Sequence, residues 1–374
     1  MRISAIWFLV SMILMAGCVA PEDSPDAAGE PGMEYALPEV DMSTNKFLEE
    51  IEAGGGGVDF VFTPEEYDNQ CHASTVAVLE DGSLISAWFW GSEEGKSDVG
   101  IWMSRYIDRA WGEIEKAARV MDAAHWNPVL FRDPARGLFL FFKAGPEIPF
   151  WQTFWMHSGD GGDTWSEPVE LVPGDMGGRG PVKNKPIILS DGAWLAPAST
   201  EHQAWNAFSD RSEDGGKTWS RSEDIDLSDE ILRSMGAIQP TLWESAPGNV
   251  HALMRTQAGM IARADSEDYG RTWSKAYSSG LPNNNSGIDV LKLEDGRILL
   301  VYNPVPEKWV PRYPLNMAVS NDNGETWKDL VSLETEEGEF SYPSIIRTPG
   351  GVAITYTWRR DSVRCWRIPL EALN

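Results

Sequence analysis

Positive charge is what this 374-residue sequence has too little of: 31 Lys and Arg stand against 57 Asp and Glu, a formal net charge of −26. A surface that acidic repels phosphate backbones at long range, which argues against nucleic acid as a partner. Cysteine and histidine are also scarce, at 3 and 5 residues. They lack the spacing of a zinc site, and the glycine pairs fall in hairpin turns rather than before helices, so no metal, nucleotide or other cofactor is expected. Calcium on the acidic loops stays open. The apolar run Ala5 to Ala16 is too short to span a bilayer.

That run follows a single positive charge and ends in small residues before Cys18, which is the layout of a secretion signal over residues 1–17. Leu14-Met15-Ala16-Gly17-Cys18 resembles a bacterial lipoprotein box. The resemblance implies lipidation of Cys18 and a secreted protein held on a membrane by its acyl chains, facing the periplasm or the cell exterior. The alternative is ordinary cleavage near Cys18 and a free secreted protein. Residues 18–57 are rich in Pro, Glu, Asp and Gly and read as a flexible tether, with one short helix around Phe47, Leu48 and Ile51. Cys71 and Cys365 either pair or stay free; the sequence does not choose between these.

What the chain does have is tryptophan, 18 residues of it, and a repeat. "SGDGGDTW" at Ser158 returns as "SEDGGKTW" at Ser212, "SEDYGRTW" at Ser266 and "SNDNGETW" at Ser320, each 54 residues after the last. One further step back, Ser104 opens "SRYIDRAW", a decayed copy. Such a period means a repeat architecture. Between copies lie short alternating segments joined at Asp-Gly, such as "STVAVLE" and "SLISAWFW", which read as antiparallel hairpins. Four strands per unit make a propeller blade. The last unit supplies only three, and Val58–Thr63 supplies the fourth. The expectation is an all-β, six-bladed β-propeller over residues 58–374, its ring closed by an N-terminal strand.

The innermost strand of each blade begins at one face of the central channel. Those starts gather His72, Asn127, Lys183 or Lys185, Gln239, Asp289 and Tyr342 at a shared mouth, and so many polar side chains on one rim suggest a ligand site. Glu201, in "APASTEHQAW", is another carboxylate that can face it, and Trp88, Trp90, Trp126 and Trp151 are either core or the floor of sugar subsites.

The repeated S-x-D-x-G-x-T-W resembles the Asp box of the sialidase superfamily, and the resemblance runs over about residues 58 to 370. It implies a propeller of sialidase type. It also implies a substrate carboxylate gripped by arginines and a tyrosine nucleophile in place of the second carboxylate that most glycosidases use. On that reading Arg255 and Arg312 hold the carboxylate, with Lys308 competing for the second place, and Tyr342 of "FSYPSII" attacks. The departures are as informative. His72 stands where the first arginine belongs, Gln239 where a glutamate should flank the tyrosine, and the loop "GSEEGKSD" offers Glu93, Glu94 and Asp98 in place of the usual aspartate, with Glu94 or Asp98 expected to protonate the leaving group. Lys185 adds positive charge, and Asp289 or Glu94 supplies acid or base chemistry.

The expected activity is a sialidase-like glycoside hydrolase that removes a terminal acidic sugar, a sialic acid or a related ulosonic or uronic acid, from a glycan. Two rivals remain: a uronate lyase working through His72 and Tyr342, and a glycan-binding propeller without catalysis.

Overall fold

The computed structural model describes residues 44–373 except 233 and 308–310. The expected signal segment, Cys18 with its expected lipidation, most of the expected tether and Lys308 therefore lie outside the described residues. Six four-stranded antiparallel sheets follow one another around a ring, one of them carrying a short fifth strand, which makes the six-bladed propeller read from the repeat. Gly57–Phe60 pairs with Ser362–Pro369, placing Gly57 opposite Arg367 and Phe60 opposite Arg364. The two ends of the chain thus share blade six and close the ring.

The ordered body begins before Val58. Thr44–Ala53 is a helix whose Phe47 and Ile51, one turn apart, are buried against Trp366, Ile368 and Leu333. Gly56, which read as part of a flexible run, lies so close to the Arg367 carbonyl that no side chain fits there.

The repeated octapeptide turn is self-contained. Ser158 Oγ donates to Asp160 Oδ1 at 2.7 Å and accepts from the Gly162 amide at 2.6 Å, while Thr164 donates its amide and hydroxyl to Asp160 at 2.9 and 2.6 Å. The copies starting at Ser212, Ser266 and Ser320 repeat these bonds. Its glycine takes positive φ and sits on the preceding blade: a side chain at Gly324 would meet the Trp243 ring at 3.1 Å. In the decayed copy Asp108 and Arg109, both at positive φ, turn the chain directly into Ala110–Trp111.

Innermost strands carry a second repeated device. In Ala124–Asp133, Ala237–Ala246 and Phe340–Thr348 the register slips where Asn127, Gln239 and Tyr342, each before a proline, adopt φ of 44°, 52° and 54°. A left-handed residue in a bulge re-aims its side chain, and three blades use it at the mouth. Gln70–Val78 has the same slip, but its left-handed residue is Ala73, φ 53°. His72 is therefore one place out of step with the other starts.

Candidate functional site

Tyr342 lies at the centre of the mouth, about nine-tenths buried. Arg255, at the end of Asn249–Thr256, donates Nη1 to the phenol oxygen at 2.6 Å and to Gln239 Oε1 at 3.1 Å, and Nε to Asn285 Oδ1 at 3.1 Å. Trp205 lies beneath the same guanidinium, 5.5 Å from its centre. Arg312 stands over the Tyr342 ring at 5.5 Å, donating to Glu339 Oε1 at 3.1 Å and Ser341 Oγ at 3.3 Å. Burial, with Arg255 and Arg360 nearby, holds its guanidinium below the ordinary value against the pull of Tyr342 and Glu339. The two arginines foreseen for an anion and the foreseen tyrosine are in one place.

Gln239 joins this group to a carboxylate. Because Arg255 only donates, the amide oxygen of Gln239 must face it, which turns Nε2 toward Glu201 Oε1 at 3.3 Å and the phenol at 3.5 Å. Burial raises the pKa of Glu201; Arg255 and the bond from Gln239 oppose that, and the charge of Glu94 adds to it.

His72, despite its offset, belongs to the cluster. Its ring centre is 4.2 Å from that of Tyr342, and Nδ1 shares a 2.8 Å hydrogen bond with Thr357 Oγ1. Burial first, then the charges of Arg360, Arg312, Arg255 and Lys183, push its pKa well below the usual value, so the imidazole is neutral at pH 7.

Sequence reasoning missed Arg360. Arg359 and Arg360 form the tight turn between Gly351–Trp358 and Ser362–Pro369, both at positive φ, where a hairpin normally places Asn or Gly. Arg360 donates to both Glu339 oxygens at 3.2 and 3.1 Å and to Glu94 Oε2 at 2.7 Å, and these partners hold its pKa up. Asn285, Glu339, Thr357 and Trp205 were missed too. The one visible signal was an Arg-Arg pair in a turn.

Other candidates are placed elsewhere. Asp289 accepts the Ile345 amide of the next blade at 2.9 Å, the same bond Thr75 makes to Leu130 and Thr241 to Val290, and it is ion-paired to Lys185 at 2.7 Å. It fastens blades together, and with it Lys185 is withdrawn from the mouth. Lys183 turns into the channel, donating to the Ile288 and Pro343 carbonyls at 2.7 and 2.5 Å; burial pulls its ammonium down to about 7. Asp98 accepts from the Ser92 amide and hydroxyl at 2.8 and 2.9 Å, which lowers its pKa and ties its own loop. Asn127 is at its bulge but joins none of the cluster's hydrogen bonds among the described residues. Trp88, Trp90, Trp126 and Trp151 are buried core, not subsite floor. Cys71 and Cys365 are both buried and free, and their thiols are driven up by burial. No cluster of metal-ligating side chains occurs among the described residues.

Residues 82–354 match the family model of the BNR repeat-like domain. Among solved structures, the Hadza microbial sialidase Hz136 is similar, with a TM-score of 0.70 at 20% identity over 85% of this chain and 69% of that one. A protein of unknown function from Dyadobacter fermentans gives 0.68 at 16%, over 83% and 98%. The NanB sialidase from Streptococcus pneumoniae gives 0.65 at 13%, over 83% and 70%. At such identities the likeness is one of fold. No curated protein matches the sequence.

Proposed function

From its place in the BNR repeat-like family, to which this chain belongs, we propose that it is a sialidase-like glycoside hydrolase releasing a terminal acidic sugar from a glycan. The observation that carries the reading is the 2.6 Å bond from Arg255 to the Tyr342 oxygen, with Arg312 over the same ring. A phenol is a weak nucleophile until its developing charge is stabilised, and a guanidinium aimed at its oxygen does that. Tyr342 attacks the anomeric carbon, its proton passing to solvent water, and Arg255 and Arg312 hold the sugar carboxylate in an otherwise acidic protein. Lipidation of Cys18 would keep this activity at a membrane surface.

A panel of acidic glycans with mass spectrometry of products tests the proposal. Tyr342→Phe should stay folded and release no sugar; full turnover by that variant removes the tyrosine mechanism. The neutral His72 and the replacement of a carboxylate by Gln239 favour a second reading, elimination from a uronate by the His72 and Tyr342 pair. Its products carry a carbon–carbon double bond absorbing in the near ultraviolet, which hydrolysis does not make.

A further inference from the structure

Three carboxyl groups stand around the cluster at Tyr342, Glu94, Glu201 and Glu339, and their surroundings differ. Glu94, on the loop after Leu84–Gly91, has the Arg360 guanidinium at 2.7 Å, and Arg360 is held in turn by Glu339. Glu201 ends Trp194–Glu201 opposite Trp205, and among the described residues no Lys or Arg reaches it at ion-pair distance. The one hydrogen bond its carboxyl group makes among the described residues is the 3.3 Å contact from Gln239. The charged groups that face it are Arg255 and Lys143, which favour its anion, and Glu94, which opposes it; burial outweighs them all and favours the protonated form. When two carboxyl groups in one site have environments that push them apart, the unpaired one keeps the proton.

Position agrees with this. A single amide nitrogen touches both Glu201 and the Tyr342 phenol, at 3.3 and 3.5 Å. The two oxygens share that one nitrogen and so lie at most about 7 Å apart, near enough for both to reach one glycosidic bond.

We propose that Glu201 is the group that protonates the departing oxygen, and that Glu94 positions Arg360 instead. The assignment rests on the hydrolase reading. As Tyr342 bonds to the anomeric carbon, its own proton having passed to solvent water, the bond to the leaving oxygen breaks. Both electrons go to that oxygen, which takes the Glu201 proton. Water then attacks the same carbon and gives its proton to the Glu201 carboxylate, while the tyrosine oxygen departs and takes a proton back from solvent water.

The test compares two substrates, N-acetylneuraminic acid α-linked to galactose and to 4-nitrophenol. A nitrophenolate leaves without help and galactose does not. Glu201→Gln should therefore lose about 100-fold or more in kcat/KM on the galactoside, within the span general acid catalysis supplies, yet under about 5-fold in kcat/KM on the aryl glycoside, whose first-turnover burst of nitrophenolate also reports that the variant is folded. Its pH profile on the galactoside should lose the alkaline limb. Glu94→Gln should lose equally on both. Equal losses on both substrates in Glu201→Gln, with an active wild type, overturn the assignment of Glu201. A wild type that releases sugar from neither, nor from any member of the acidic glycan panel, overturns the hydrolase reading on which it stands.

Discussion

Arg255 Nη1 and the Tyr342 oxygen are 2.6 Å apart across 87 residues of chain, one on blade four and the other on blade six. The same guanidinium also holds Gln239 and Asn285, so its planar fork fixes three side chains of the mouth at once. An ammonium retains the charge but not that geometry. Arg255→Lys should therefore fold normally and lose about 100-fold in kcat, the scale of removing one donor from a developing oxyanion. Steady-state kinetics beside circular dichroism would check it, and a loss confined to KM would mean that Arg255 binds substrate without acting on Tyr342.

His72 predicts a pH dependence of stability. Its folded pKa lies well below the free value of about 6.5. As pH falls through 6.5 the unfolded chain takes up a proton that the folded ring refuses, so the contribution is complete above about 6.5 and is lost progressively below it. His72→Asn should show a shallower loss of urea stability between pH 7.5 and 5.5 than the wild type. His125, also depressed by burial, contributes to both proteins alike. Parallel curves would show that His72 is not the cause.

These two residues mark where the sequence could be read and where it could not. The octapeptide turn was legible because its Ser, Asp, Gly and Thr bond to one another within a few residues, so local chemistry alone implies it. Arg255 and Arg312 came from the resemblance to sialidases, and Tyr342 from that and from the start of its innermost strand. His72 was set one residue out of register because nothing in its neighbourhood announces that Ala73 is the left-handed residue of its bulge. Asp289 was misplaced because a carboxylate at a strand start looks the same whether it faces the mouth or accepts the amide of the next blade. Arg360 was invisible because its role depends on a hairpin of blade six reaching Glu94 of blade one, 266 residues away.

The helix before the ring is a part of the core. Phe47 is 1% exposed and stacks on Trp366 with ring centres 6.5 Å apart. Phe47→Ala should cost about 3–5 kcal/mol in urea unfolding, as large-to-small changes in packed interiors do. A chain beginning at Val58 should be destabilised at least as much. If that shortened chain unfolds at the same urea concentration as the longer one, the helix rests on the propeller without supporting it.

Gln239→Glu tests the relation between Glu201 and the tyrosine from the other side. The amide nitrogen that now donates to Glu201 at 3.3 Å would become a carboxylate oxygen facing another one. Two carboxylates that close do not both ionise readily, so the proton on the pair is retained to higher pH. Arg255 would still bond the other oxygen of the new side chain, which keeps the mouth assembled. The alkaline limb of the pH–rate profile on the galactosyl substrate should therefore move upward in Gln239→Glu. An unmoved limb, with activity retained, would place the ionisation that limits turnover somewhere other than Glu201.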